Sequence, residues 1–234
     1  MKSELYSTHA KKYDSVIQDN IYNAHLERPT LLSMLDDVKG LDVLDLGCGP
    51  GAYAQILVDS KANKITCVDY SDEMVSLVKE KLGERVKAYQ QDLAKGLPEE
   101  ESESTDVMIC PLVLHYIEDL TVFFKDVSRV LKPNGYIVFS THHPFADFEC
   151  STSGNYFERE LVKEEWNTVG DPVQVTFYRR SLMEITDAIN NSGLVISQLS
   201  EGKVSEAVKE IDMNVYQRLF HNPNFIFMKC LKLV

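Results

Sequence analysis

A short apolar run that ends in three alternating glycines is the feature that most constrains this chain. The run covers residues 43–46, and Gly47, Gly49 and Gly51 follow it. Its length and apolarity are typical of a strand buried on both faces, and residues 52–58 are predicted as the helix that it leads into. Glycines let a strand-to-helix turn adopt positive φ and approach a ligand closely. The segment therefore predicts a ligand-binding turn at the end of a buried strand.

An acidic residue after the second predicted strand indicates what the ligand contains. Residues 64–68 have the pattern of a strand, and Asp69 follows them. A carboxylate at this position accepts both hydrogen bonds of a ribose diol. The ligand is therefore expected to carry a ribose.

The spacing of the glycines distinguishes between two classes of ribose-containing cofactor. Dinucleotide sites use Gly-x-Gly-x-x-Gly, with a pyrophosphate opposite the helix N-terminus. Here the spacing is Gly-x-Gly-x-Gly, and Asp45 stands two residues before the first glycine. A carboxylate there would repel a pyrophosphate, whereas it suits the ammonium of an amino-acid moiety, directly or through water.

This pattern closely resembles that of the class I S-adenosylmethionine-dependent methyltransferases. The resemblance is most specific over residues 41–140 and includes the motifs Val-Asp-Tyr-Ser at 68–71, Gln-Asp-Leu at 91–93 and Leu-Lys-Pro-Asn-Gly-Tyr at 131–136. Within the family the chain is most similar to the small-molecule branch, which includes quinone-biosynthesis enzymes and uncharacterised bacterial enzymes. The resemblance implies S-adenosyl-L-methionine as the cofactor. It also implies the strand order 3-2-1-4-5-7-6, with strand seven antiparallel.

The rest of the pattern predicts an α/β fold, a Rossmann-like doubly wound sheet of seven mostly parallel strands. Ser71 is a plausible cap for a helix that runs to Leu82, and Ser181 with Glu184 resembles a capping box for a second helix. Strands alternating with helices favour a parallel sheet, with ligands at the carboxyl ends of its strands. The further predicted strands are 86–89, 106–110, 136–140, 195–199 and 225–231.

Four segments make up the predicted domain organisation. Residues 1–40 form a helical leader over the cofactor, and 41–140 form the cofactor-binding core. Residues 141–180 are too many for a simple connection after strand five, so they are predicted to form a cap over the substrate pocket. Residues 181–234 complete the core.

Charge and cysteine content limit the partners and the compartment. With 36 acidic and 24 basic residues the net charge is -12, which disfavours long nucleic acid and favours a small-molecule substrate. The five cysteines are scattered without a Cys-x-x-Cys pair, as in a protein of a reducing compartment. With neither a signal peptide nor a membrane span in the sequence, we predict a cytoplasmic protein that contacts no DNA and no membrane. A homodimer is left open.

The family resemblance assigns cofactor contacts along the chain. Asp45 is expected near the ammonium, Asp69 at the ribose, Tyr70 and Met74 against the adenine, and Asp92 at its amino group. Alternatives stay open: Asp92 as a simple helix cap, Tyr13 as an amphipathic tyrosine on a surface helix, and His115 as a packing residue. The full predicted set is Tyr13, Asp45, Gly47, Cys48, Gly49, Gly51, Asp69, Tyr70, Ser71, Met74, Asp92, Leu93, Cys110 and His115.

Two adjacent histidines are the candidate catalytic residues. His142 and His143 follow strand five, and an imidazole near its ordinary pKa can accept an acceptor's proton at neutral pH. One of the two is expected to point into the core, and neighbouring histidines without a third ligand do not predict a metal site. Methyl transfer also proceeds by alignment alone, which leaves a mechanism without a general base open. The aromatic residues Phe145, Tyr156, Trp166 and Tyr178 either line the acceptor pocket or form the core of the cap.

Three other functions are weighed against methyl transfer to an O, N or C nucleophile of a small organic molecule. A nicotinamide-dependent oxidoreductase requires a glycine spacing that is absent here. A non-catalytic S-adenosylmethionine-binding protein would keep the glycines and Asp69 but lack an open acceptor pocket. A tRNA-modifying methyltransferase working with a partner subunit would need a basic rim around the cleft, which the acidic composition disfavours.

Overall fold

Two β-sheets organise residues 3–233, which are the part of the chain that this computed structural model describes. The strands of the large sheet are β1 (Asp42–Leu46), β2 (Lys64–Asp69), β3 (Lys87–Gln90), β4 (Thr105–Pro111), β5 (Leu131–His142), β8 (Leu194–Ser200) and β9 (Phe225–Lys232). Those of the small sheet are β6 (Glu160–Trp166) and β7 (Val173–Arg179).

The large sheet has the order β3-β2-β1-β4-β5-β9-β8. Strands β1 to β5 pair in parallel, and β9 pairs antiparallel with both β5 and β8. The predicted order 3-2-1-4-5-7-6 with an antiparallel seventh strand is confirmed. The parallel strands are buried because helices cover both faces of the sheet, which explains their continuous apolar runs.

Helices connect these strands and frame the sheet. They are α1 (Ala10–Val16), α2 (Arg28–Ser33), α3 (Ala52–Asp59), α4 (Asp72–Leu82), α5 (Leu120–Val130), α6 (Pro144–Asp147), α7 (Leu182–Asn190), α8 (Val208–Ile211) and α9 (Met213–His221). None of the helices in residues 3–233 is both long and apolar enough to cross a membrane.

Caps place the starts of two helices where the sequence predicts them. The Ser71 hydroxyl accepts a hydrogen bond from the Met74 amide at the start of α4. The Ser181 hydroxyl accepts one from the Glu184 amide at the start of α7. Each serine satisfies an amide that has no partner within its helix.

Strand β5 begins earlier than the sequence predicts. Leu131 already pairs with Thr105, and the next pair joins Tyr136 to Val107, so residues 132–135 form a bulge within the strand. Asn134 adopts a φ of 64°, which suits a tight turn. The predicted turn is therefore present, but the strand continues on both sides of it because pairing with β4 starts before the turn.

The segment between β5 and α7 forms α6 and the antiparallel pair β6–β7. Val173 and Val175 of this hairpin form a small buried cluster with Leu5 of the N-terminal segment, and Tyr6 and Tyr13 pack against that cluster. The leader and the hairpin are therefore in direct contact. The role of residues 141–180 as a substrate cap stays a prediction.

Candidate functional site

A cavity of about 1170 Å³ lies at the carboxyl ends of β1, β2, β4 and β5. The leader, the glycine turn and the β6–β7 hairpin all contribute to its wall. Eleven of the residues predicted for the site line it: Tyr13, Gly47, Cys48, Gly49, Asp69, Tyr70, Ser71, Asp92, Leu93, His115 and His142. Its position agrees with the expectation that ligands of such sheets bind beyond the strand ends.

The glycine turn needs its glycines for two different reasons. Gly47 has a φ of 71°, and a Cβ there would lie 2.1 Å from Val113 Cγ2. Gly49 has a φ of 51°, and a Cβ there would meet nothing within 4 Å. Gly47 is therefore required by the packing of the protein itself, whereas Gly49 presents bare backbone to the cavity.

Asp69 is held in place by the backbone on both of its carboxylate oxygens. The Gly49 amide donates to Oδ2 at 2.8 Å, and the Ser71 amide donates to Oδ1 at 2.8 Å. Burial raises the pKa of Asp69 to about 6, against the lowering effect of these hydrogen bonds. Each oxygen keeps a further lone pair for a ligand hydroxyl.

Three more predicted residues, which follow β2 and β3, line the cavity: Tyr70, Asp92 and Leu93. Tyr70 is 41% exposed, and so its ring is available to a flat ligand. Asp92 Oδ1 accepts a hydrogen bond from the Ala94 amide at 3.1 Å and caps the turn Leu93–Lys95. Asp92 therefore both caps this turn and lines the cavity, and its Oδ2 lies 3.8 Å from Lys95 Nζ.

Five predicted site residues do not line the cavity: Asp45, Gly51, Met74, Cys110 and His143. Asp45 is fully buried, and neither of its side-chain oxygens has a well-aligned hydrogen-bond partner, although the Ala54 amide is close enough to lower its pKa. Burial, followed by the charges of Asp69 and Glu27, raises the pKa of Asp45 to about 8. Met74 and Cys110 are packed in hydrophobic clusters, and Gly51 is the N-cap of α3.

Glu27 is a cavity residue that the sequence analysis missed. It is 2% exposed and accepts hydrogen bonds from the Tyr53 hydroxyl at 2.9 Å and from Ser140 Oγ at 2.7 Å. Burial raises the pKa of Glu27 to about 7. It ends a π-helical turn, Asn23–Glu27, of a kind often found at functional sites. Glu27 belongs to no sequence motif, so nothing in the sequence predicts that it is buried.

The leader closes one side of the cavity through tyrosines. Tyr6 and Tyr116 share a hydrogen bond of 2.8 Å between their hydroxyls, and Ser71 Oγ donates to the Tyr6 carbonyl at 2.6 Å. Tyr13 packs edge-on against Tyr6, with 5.1 Å between the ring centres. These contacts tie the leader to β2–α4 and to the turn after β4.

The two adjacent histidines have different surroundings. His142 lines the cavity, and its ring stacks on His115 with 3.7 Å between ring centres and 13° between planes. His143 is turned away: its Nδ1 accepts from the Phe145 amide, and its Nε2 lies 2.9 Å from Glu201 Oε1. Burial lowers the pKa of His143 despite Glu201. His143 is therefore the N-cap of α6, while His142 faces the ligand space.

The aromatic residues of the segment 141–180 also divide into those that line the cavity and those that do not. Trp166 and Phe177 line the cavity, and the Trp166 indole donates to Glu164 Oε2 at 2.9 Å. Phe145 is 59% exposed and lies outside the cavity wall, as do Tyr156 and Tyr178. Of the aromatic pocket predicted from sequence, Trp166 contributes, and Phe177 replaces the other three.

The donor and acceptor groups at the strand ends fit an adenosyl compound. Gly49 gives open backbone space to the cavity, and Asp69 gives a fixed carboxylate beside it. Within residues 3–233 no three His, Cys, Asp or Glu side chains are grouped as metal ligands.

Comparison with known proteins agrees with this geometry. Residues 44–139 match the family model described as a methyltransferase domain. The chain is 32% identical over 181 residues to demethylmenaquinone methyltransferase from Staphylococcus aureus, covering 69% of this chain and 73% of that protein. It is 28% identical over 231 residues to an uncharacterised Haemophilus influenzae protein, covering 90% of this chain and 88% of that one.

The fold is also found among solved structures. A Listeria monocytogenes protein described as an S-adenosylmethionine-dependent methyltransferase superposes with a TM-score of 0.77 at 24% identity. The match covers 89% of this chain and 97% of that one. From the Rossmann-like sheet, the cavity at its strand ends and the relatives, we conclude that this chain is an enzyme of the class I S-adenosylmethionine-dependent methyltransferase family, with S-adenosyl-L-methionine as its cofactor.

Proposed function

We propose that this enzyme methylates an oxygen, nitrogen or carbon nucleophile of a small organic molecule. The observation that carries the proposal is the continuity of the cavity, which runs from Asp69 and Gly49 to His142, Trp166 and Phe177. Asp69 and Gly49 belong to the end of the cavity that we assign to the cofactor. His142, Trp166 and Phe177 form an aromatic wall at the end that we assign to the acceptor. A single cavity with both ends suits a donor and an acceptor bound side by side.

At the cofactor end, each residue has a proposed role. Asp69 accepts the ribose hydroxyls, Tyr70 packs against the adenine ring, and Asp92 accepts from the adenine amino group. The Leu93 amide donates to the adenine ring. When bound, S-adenosylmethionine supplies a methyl group on a positively charged sulfur. The chain positions the acceptor, excludes water and takes up its proton.

Charge and relatives support a small-molecule acceptor over a nucleic acid. The side chains that line the cavity near the hairpin include the acids Asp147, Glu149, Glu164 and Glu165. Such a wall repels the phosphates of an RNA. The Staphylococcus aureus relative acts, by its name, on demethylmenaquinone.

The two competing functions account for fewer of these observations. A tRNA-modifying enzyme with a partner subunit would have to supply its basic surface entirely from that subunit. A non-catalytic binding protein leaves the aromatic end of the cavity without a purpose. The five free cysteines are consistent with the reducing cytoplasm that we propose.

Calorimetry with S-adenosylhomocysteine and with NAD tests the cofactor end. We expect binding of the first and none of the second, and the opposite preference would overturn the assignment. Transfer from tritiated S-adenosylmethionine to a panel of phenols, amines and enolisable carbonyl compounds then tests the acceptor end. Labelling of bulk tRNA, and of none of the small molecules, would favour the RNA alternative.

A further inference from the structure

The candidate base His142 has a neighbouring carboxylate, Asp147, which has no role in the function proposed above. His142 Nδ1 lies 3.3 Å from Asp147 Oδ1, and both side chains are mostly buried, with 13% and 14% of their surface exposed. This nitrogen is buried and has no aligned hydrogen-bond partner. Because Nδ1 is buried while the ring lines the cavity, Nε2 is the nitrogen available to a bound acceptor.

Asp147 is fixed relative to His142 by the short helix α6. The His143 side chain caps this helix, and the Asp147 amide donates to the His143 carbonyl at 3.0 Å. The helix therefore places the Asp147 carboxylate next to the ring of His142. This is an arrangement in which an acid orients an imidazole, and such contacts are often long until a ligand binds.

His115 stacks on one face of the His142 ring. The two rings stack at 3.7 Å, and Phe177 packs edge-on against His142 at 4.8 Å. Burial, followed by the charge of His142, lowers the pKa of His115 well below its ordinary value. A neutral His115 does not oppose a positive charge on His142, whereas two stacked imidazolium rings would repel each other.

Two other polar side chains near His142, Tyr178 and Arg180, donate their hydrogen bonds elsewhere, to Glu118 and to the Ile117 carbonyl. Arg180 and Tyr178, at the end of the hairpin, line a small void together with His142, His115 and Asp147. Arg180 Nη2 donates to the Ile117 carbonyl, and Arg180 Nη1 lies 3.6 Å from Glu184. Among residues 3–233, Asp147 is thus the only carboxylate that forms an ion pair with a His142 ring nitrogen.

We propose that Asp147 is a positioning residue that holds the proton of His142 on Nδ1, so that Nε2 accepts the proton of the methyl acceptor. This inference rests on the proposed function. The acceptor atom forms a bond to the methyl carbon, the bond between that carbon and sulfur breaks, and its electron pair stays on sulfur. The acceptor's proton moves to Nε2, and the resulting imidazolium lies beside the Asp147 carboxylate. The proton then leaves to water when the product departs.

The tautomer of His142 tests this proposal without any acceptor. Two-bond 1H–15N spectra of the 15N-labelled protein identify which ring nitrogen carries the proton, with H142Q and H115Q used to assign the signals. We expect neutral His142 as the Nδ1–H tautomer. In D147A we expect a shift toward the Nε2–H form that an unrestrained histidine favours. The matched control E165A removes another carboxylate of the cavity wall and leaves the tautomer unchanged.

A second measurement separates this inference from the proposed function. With an acceptor found in the panel, we expect H142Q to lower kcat by about 100-fold and D147A by about tenfold. The double variant should be no slower than H142Q, because the two residues act as a unit. The D147A rate should also depend on pH differently from the wild-type rate, while the two proteins bind S-adenosylhomocysteine equally.

An Nε2–H tautomer of His142 in the wild type, or a tautomer that D147A leaves unchanged, would overturn the role of Asp147 even if methyl transfer is confirmed. Conversely, absence of cofactor binding would reject the function and leave the tautomer result standing.

Discussion

The amide of Gly49 donates a hydrogen bond of 2.8 Å to the carboxylate of Asp69. This contact joins the turn after β1 to the end of β2, so the two sequence motifs of the cofactor site form one structural unit. The Ser71 amide holds the second oxygen of the same carboxylate. The Asp69 carboxylate, which we propose binds the ribose, is thus fixed without a ligand, which reduces the cost of ordering it on binding.

Removing the Asp69 carboxylate is expected to weaken cofactor binding. D69A removes charge-assisted hydrogen bonds to the ligand, each with a contribution of about 1.5 to 3 kcal/mol. Calorimetric titration with S-adenosylhomocysteine measures the loss. D72A is the matched control, because Asp72 begins α4 and does not line the cavity. Equal affinity of D69A and the wild type would remove Asp69 from the site.

Alanine at Gly49 is expected to block the ligand more than it disturbs the fold. Its Cβ meets no protein atom within 4 Å but enters the cavity space. Gly40 is a good control: it also has positive φ and nothing within 4 Å, and it lies outside the cavity wall. Both G49A and G40A should lose about 1 to 2 kcal/mol of stability from backbone strain, but only G49A should lose affinity for S-adenosylhomocysteine. Equal affinity of the two variants would contradict the close approach of ligand to backbone.

Asp45 is expected to make the stability of the ligand-free protein fall as pH rises. Burial raises its pKa from 3.8 in the unfolded chain to about 8 in the fold. Its contribution is therefore fully present below pH 3.8 and is lost as the pH rises to 8, at most about 1.4 kcal/mol per pH unit. Thermal unfolding between pH 5 and 8 should show a smaller loss of Tm in D45N than in the wild type.

A control with the opposite pKa shift supports that measurement. The hydrogen bond from Arg129 lowers the pKa of Asp126, so its contribution to stability is present above its unfolded pKa and is lost in acid. D126N should leave the change of Tm between pH 5 and 8 as in the wild type. If D45N and the wild type lose Tm equally over this range, Asp45 is already ionised in the fold at pH 5.

The Tyr53 hydroxyl is expected to stabilise the protein more at high pH than at low pH. It donates to Glu27, whose pKa is raised by burial to about 7. Y53F should cost about 1 kcal/mol at pH 5, where Glu27 is neutral, and about 2 kcal/mol at pH 9, where it is charged. Urea unfolding at the two pH values measures the difference. Y136F also loses a hydrogen bond, from the Asp36 amide, and should cost the same at both.

The sequence by itself determined the sheet and the identity of the cofactor, and it predicted the residues of the cofactor end. Local patterns were enough there: apolar runs marked the strands, Ser71 marked a helix start, and the glycines with Asp69 marked a nucleoside site. All of these residues lie at strand ends next to one another in the sheet, so the strand order alone brings them together. The cofactor followed from the same motifs, since the chemistry of the turn is carried by residues close in sequence.

Only the tertiary structure decided which polar residues face the ligand space. His142 and His143 are neighbours with the same chemistry, yet sheet pairing and a helix cap turn them to opposite sides. Asp45 stands in the glycine motif but is fully buried, while Glu27, from a leader without a motif, reaches the cavity. Burial and orientation depend on contacts between distant segments, and the spacing of residues along a chain does not record them.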